Sequence, residues 1–247
     1  MRRENPSTLT GLDLKVLRAV LKLSTNNPSI ISLETHLAEG IVREVLQRLG
    51  LGGETGLSRD RMIEVAVGLL ERNRSFEEVS KSLTWDLFES LIARILEAAG
   101  LYAKRNVTVI VGNRRAQLDI VALRDYTVYL LECKRWMRSL SGSLASSEAK
   151  KLKERVELFC QALLKLHGHG TIIHYVVPII VSPYTSPTIS DVFISPFRSL
   201  ISLLSEHPVT LPTPPTTTLY LGRRLSPQLL RPKSIKARSQ PTGGSVQ

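Results

Sequence analysis

At Gly100 the spacing of apolar side chains changes from about 3.6 residues to about 2, and this restricts the chain to folds that pack helices on a sheet. Before the switch, Thr84 caps an amphipathic helix from Trp85 to Ala99, which Gly100 ends. After it, Asn106–Val111, Ala116–Leu123 and Thr127–Cys133 alternate as strands, with turns at Gly112-Asn113 and Arg124-Asp125-Tyr126. A long helix follows, with Leu152, Val156, Phe159, Leu163 and Leu166 on one stripe, and it ends at Gly168. Thr171–Val181 is a buried strand, and Pro178 within it calls for an edge or a bulge. Ser195-Pro196 reads as the cap and first turn of a last helix running to Leu204. Helix, three-strand meander, helix, strand, helix gives an α/β sandwich with a mixed central sheet.

The stretch ahead of this core is helical throughout. Residues 12–23 carry a helical stripe, and two short helices around Ser32–Ala38 and Ile41–Leu49 are joined through Glu39-Gly40. This is the outline of a helix-turn-helix, with Leu33, Leu37, Ile41, Val45 and Leu49 as its expected core and Arg43, Gln47 and Arg48 as groove contacts if it binds DNA; with zero net charge it equally reads as a small helical bundle that packs or dimerises. Ser58 caps a further helix, and Ser75 with Glu78 forms a capping box for another. Residues 1–80 are therefore expected to form a small all-α, helix-turn-helix-like domain, 81–206 the α/β domain, and 207–247 a flexible basic tail rich in proline and threonine, with Leu219–Leu221 as the stretch able to dock.

Charge separates these parts. The formal charge of +11 resolves into zero over 1–80 (eleven basic, eleven acidic), +5 over 81–206 (sixteen against eleven) and +6 over 207–247 (six against none). A polyanionic partner is thus expected at the middle and the tail. No stretch reaches the roughly 18 uncharged apolar residues of a membrane span, and Met1–Pro6 has no apolar run behind it, so neither a membrane nor a secretory signal is expected. Two cysteines, Cys133 and Cys160, are too few for a disulfide framework, which fits a reducing, cytoplasmic location.

The chemistry gathers at the end of the third strand. Alternation places Val128, Leu130, Glu132 and Lys134 on one face, so an acid and a lysine stand side by side after an apolar run. On the second strand the same rule puts Gln117, Asp119 and Val121 on one face and Leu118, Ile120 and Ala122 on the other. The tight turn between the strands sets Asp119 and Glu132 at similar height. Two carboxylates so close repel unless a cation lies between them, and their hard oxygens suit Mg²⁺ or Mn²⁺. The backbone carbonyl of Cys133 adds a further ligand, and Lys134 would act on a bound water or on phosphate charge. Arg114, Arg115, Arg135, Arg138, Lys150, Lys151, Lys153 and Arg155 flank the set as expected phosphate contacts, and Trp136 could stack on a base.

The segments Trp85-Asp86-Leu87-Phe88-Glu89-Ser90-Leu91, Gln117-Leu118-Asp119-Ile120-Val121 and Leu131-Glu132-Cys133-Lys134-Arg135 resemble the restriction-endonuclease-like PD-(D/E)xK superfamily. The Phe88-Glu89 pair is similar to the opening of Mrr-type restriction domains, and the arrangement is also similar to archaeal Holliday-junction resolvases. The resemblance covers about Thr84 to Leu204; Leu118 stands in place of the signature proline, and Asn113–Gln117 in place of the glycine-rich approach of Mrr domains. It implies a metal-dependent DNA endonuclease for repair, recombination or defence, with Glu89, Asp119, Glu132 and Lys134 as its catalytic set. It also implies Glu89 as an additional metal ligand, Gln161 as an accessory residue and a homodimer on two-fold substrates. An RNA substrate uses the same phosphodiester chemistry. A second reading is a catalytically inactive DNA-binding or regulatory module that keeps the nuclease fold.

Overall fold

The computed structural model describes residues 9–53, 56–72, 75–135, 142–185, 188–189, 192–205, 216–230 and 234–237. It divides into two compact units, Met1–Leu91 and Ile92–Gln247. The division falls inside one helix rather than at residue 80.

The first unit is helical: α1 (Gly11–Leu23), α2 (Pro28–Thr35), α3 (Glu39–Arg48), α4 (Arg59–Glu71) and α5 (Phe76–Lys81). Each start is set by a local cap. Thr10 and Asp13 form a capping box on α1, Asn27 caps α2 with Pro28 in its first turn, and Ser58 and Ser75 cap α4 and α5. Because α2 begins at Pro28 rather than near Ser32, its buried face carries Ile31 and Thr35, and Leu33 is 77% exposed. The expected stripe of Leu33, Leu37, Ile41, Val45 and Leu49 is therefore corrected: of these, Val45 is in the core, beside Val42 and Leu46 of α3. Arg48 of α3 is bound to the fully buried Asp13 of α1, and Arg43 to Glu39, so both arginines offered as groove contacts have carboxylate partners. Burial pushes the Asp13 carboxyl up, but hydrogen bonds from Arg48 and Thr10 outweigh it and hold it below the usual carboxylate range.

Helix α6 (Trp85–Ala98) leads into the second unit, and Gly100, at φ +83°, makes the left-handed turn that ends it. The strands that follow are β1 (Tyr102–Val111), β2 (Arg114–Arg124), β3 (Thr127–Cys133), β4 (His169–Ser182), β5 (Thr188–Ile189), β6 (Phe193–Pro196), β7 (Thr217–Leu221) and β8 (Ser234–Ala237). They form one mixed sheet in the order β5-β6-β4-β3-β2-β1-β8, with β7 also paired to β4. Helix α7 (Gly142–His167) covers one face through Leu152, Val156, Phe159 and Leu163. Helix α8 (Phe197–Ser205) receives a hydrogen bond from the buried Tyr129 hydroxyl to the Leu204 carbonyl, 3.5 Å. The unit is an α/β sandwich. Among the described residues no helix is long and apolar enough to cross a membrane.

Three expectations change here. Ser195 and Pro196 close strand β6, paired through Ser182 and Pro196, and α8 begins only at Phe197. The segment 207–247 is not wholly a tail: β7 lies antiparallel on β4 and β8 parallel on β1, burying Leu219, Leu221, Ile235 and Ala237. These two strands, from a stretch too polar to fold alone, are held by sheet edges that accept their backbone. Pro178 lies in a strand paired on both sides. On its outer side, however, β7 contacts β4 only up to Val176 and β6 only from Ile179, so the missing N–H falls where one neighbour gives way to the next.

Candidate active site

The site is built at the carboxyl end of β3, from the alternation of that strand and one stripe of α7. Val128 and Leu130 pack in the core under α7, so Glu132 and then Lys134 point to the same helix. There α7 presents Glu148, Lys151 and Arg155, spaced i, i+3 and i+7 on one face. Lys134 Nζ lies 2.9 Å from Glu132 Oε1 and 2.9 Å from Glu148 Oε2. Arg155 Nη1 pairs with Glu132 Oε2, and Lys151 Nζ lies 2.7 Å from Glu148 Oε1. Two carboxylates and three cations thus form one chain. Glu132 and Glu148 are 5% and 7% exposed, so each pair is partly shielded from water. The backbone N–H of Lys134 donates to Val181 O at 2.8 Å and ties the strand end to β4.

Burial pushes the Lys134 ammonium down, but hydrogen bonds to Glu148 and Glu132 outweigh it and hold it above its ordinary value. Burial likewise pushes the Glu148 carboxyl up, and Lys134 with Lys151 holds it below the usual range. The lysine is therefore a firmly charged ammonium, suited to stabilising negative charge rather than to taking a proton.

Asp119 is half-buried and its Oδ2 accepts the backbone N–H of Cys133 at 2.9 Å. The β2–β3 ladder pairs Ile120 with Leu131, and one more step brings Asp119 abreast of Glu132, as the turn length requires. The expected alternation on β2 breaks at this point. Leu118 and Val121, three residues apart, both enter the core under α7, where strict alternation would separate them. The cause lies on β1. Asn106 adopts φ +54° and falls at the skipped step of the ladder, between the pairs Arg105–Ile120 and Val107–Leu118. The Gln117 side-chain amide donates to Asn106 Oδ1 at 3.1 Å. Both strands change face there, and Asp119 occupies the kink.

The other expected residues fall into three groups. Arg114, Arg115 and Gln117 of β2 line an open groove of about 470 Å³ with Lys151, Glu154 and Arg155 of α7. Arg135 is half-buried beyond β3, and Lys150 and Lys153 are exposed on α7. Gln161 is also exposed, but six residues past Arg155 it is turned about 240° around the helix, away from the site stripe. Trp136 and Arg138 lie outside the described residues. Glu89 is buried on α6 in the first unit, while Asp119, Glu132, Cys133 and Lys134 come together within the second.

Among the described residues no three His, Cys, Asp or Glu side chains stand together closely enough to hold a metal ion. Within the second unit the acids abreast of each other are two, Asp119 and Glu132, and both Glu132 oxygens face cationic side chains. The donor type still fits Mg²⁺ or Mn²⁺: two carboxylates and the Cys133 carbonyl are hard oxygen ligands, provided one ion pair on Glu132 is exchanged.

Glu148 is absent from the set expected from sequence, yet it holds Lys134 directly. A signal for it existed. Glu148 lies four residues before Leu152 and eight before Val156, so an acid continues the buried stripe of α7. A carboxylate at such a position needs a partner.

No family model matches the chain, and no curated protein matches it. Solved structures similar to it include that of a protein of unknown function, AF1548, with 25% identity, 39% of this chain and 46% of that chain covered and a TM-score of 0.28. Another is protein VC1899 from Vibrio cholerae, with 13% identity, 82% and 56% covered and a TM-score of 0.31. The chain spans about half the length of both structures.

Proposed function

We propose that the second unit is a metal-dependent DNA endonuclease domain of the PD-(D/E)xK, restriction-endonuclease-like type. The observation that carries this reading is the ion pair of Lys134 and Glu132 at the end of β3, abreast of Asp119 on β2 and beside a groove with four cationic side chains. Asp119, Glu132 and the Cys133 carbonyl would hold Mg²⁺ or Mn²⁺, which supplies charge neutralisation and activation of water when bound. Arg114, Arg115 and Lys151 grip phosphates of the strand and fix its register. Lys134, kept charged by two carboxylates, stabilises negative charge growing on the phosphate. The helical first unit, helix-turn-helix-like in outline, serves target choice or dimerisation. Its groove-binding role would rest on Gln47 more than on Arg43 or Arg48, which pair with Glu39 and Asp13.

One observation favours a second reading, a DNA-binding or regulatory module without catalysis. Both oxygens of Glu132 are engaged by cationic side chains, the state expected of a structural carboxylate. The two readings part in a single assay. The protein is incubated with linear, supercoiled, branched and single-stranded DNA and with RNA, with and without Mg²⁺ or Mn²⁺, alongside Asp119→Ala and Lys134→Ala. Metal-dependent cleavage lost in both variants is expected. Cleavage unchanged in both would sink the site, and binding without cleavage on every substrate would favour the second reading.

A further inference from the structure

Arg155 takes part in two arrangements at once. It lines the groove with Arg114, Arg115 and Lys151, and its guanidinium also pairs with Glu132 Oε2 on the buried side. The two ion pairs on Glu132 are not equivalent. Lys134 has a second carboxylate, Glu148, so it stays neutralised if Glu132 changes partners. Arg155 is bordered by open groove, where a phosphate oxygen offers its planar fork the same geometry as a carboxylate. A guanidinium can exchange one oxyanion for the other at little net cost, whereas a buried carboxylate stripped of one partner gains affinity for a new cation.

We propose that Arg155 is an exchangeable latch: a phosphodiester entering the groove draws its guanidinium from Glu132, and this opens Oε2 for the divalent cation. The inference rests on the nuclease reading of the same site. It makes strand binding and cation binding mutually favourable, since each loosens the contact that opposes the other. Empty of strand, the site holds its own cation in the cation's place.

The test is a double-mutant cycle on the full chain in metal-free buffer, reading the anisotropy of a fluorescein-labelled DNA duplex. Glu132→Gln keeps the side-chain shape and releases Arg155, so it should tighten binding about fivefold. In an Arg155→Ala background the same change should have no effect; Arg155→Gln serves if the alanine variant does not fold. Equal tightening in both backgrounds would mean that only a negative charge was removed, and the latch falls. A second measurement titrates Mn²⁺ by electron paramagnetic resonance without DNA. Arg155→Ala should bind the ion at least about fivefold more tightly than the parent chain, and identical affinities would overturn the exchange. The fate of the nuclease reading is separable. Additive binding with Asp119-dependent cleavage rejects the latch alone, and a non-additive cycle with no cleavage rejects the nuclease alone.

Discussion

Glu148 holds Lys134 from across the helix–sheet interface, its Oε2 2.9 Å from Nζ, so the lysine at the end of β3 is fixed by α7 as well as by its own strand neighbour. Removing that carboxylate leaves Lys134 with Glu132 and strips Lys151 of its partner. Glu148→Ala is expected to lower stability by on the order of 3 kcal/mol, the usual cost of breaking a buried pair from one side. Glu148→Gln, which keeps an acceptor oxygen, should cost less. Urea unfolding of both variants checks the order, and an unchanged midpoint in Glu148→Ala would deny the ion pair its role.

The same pair sets a pH window. The Glu148 carboxyl is held below its unfolded value, so its contribution is present above that value and is lost as pH falls through the lower, folded one. The Lys134 ammonium is held above its unfolded value, so its contribution is complete below that value and is lost as pH rises through the higher, folded one. Stability from this pair should therefore be flat at neutral pH and fall at both extremes. In Glu148→Gln the acid-side fall should shrink, which melting temperatures across the pH range would show.

Asn106 is the hinge of the kink beneath Asp119. At φ +54°, Asn106→Val should cost about 1–2 kcal/mol, because a branched side chain clashes in the left-handed region. Asn106→Gly should stay within a few tenths of a kcal/mol of the parent chain. Denaturant midpoints decide this, and equal losses in the two variants would place the strain elsewhere.

A chain ending at Ser205 lacks β7 and β8. Three large side chains, Leu219, Leu221 and Ile235, would lose their burial, at roughly 1.5–3 kcal/mol each. Their sum is comparable to the whole net stability of a domain. The expected outcome is loss of the cooperative transition of the second unit by circular dichroism. A truncated chain that melts like the parent would show that these strands are ornamental.

How far the sequence could be read follows from the range of the forces involved. Strand β3 has the limits expected from residues 127–133, because a turn precedes it and period-two apolar alternation runs through it. The neighbourhood of Glu132 and Lys134 follows from the same alternation. What the pattern could not carry was long-range. Strands β7 and β8 exist because distant edges of β4 and β1 accept them; the apolar run Leu219–Leu221 marks a stretch able to dock, but nothing in a proline-rich composition reports which edge receives it. The face switch at Asp119 comes from a single backbone angle on the partner strand. The exposure of Leu33 follows from where α2 begins, a matter of one cap and one proline. Glu148 was legible in principle, as an acid on an apolar stripe.

The order of strands along the chain also has a consequence for synthesis. Of the described strands, β7 and β8 come last, and they are the ones laid along β4 and β1. While the chain emerges from the ribosome, β1 to β4 have the means to pair with one another, but the flank of β4 taken by β7 stays bare until Leu221 has been made and that of β1 until Ala237. Bare flanks of that kind recruit other nascent chains. Until β7 and β8 are made, the sheet carries two bare flanks, and that interval is when pairing with other chains is most open.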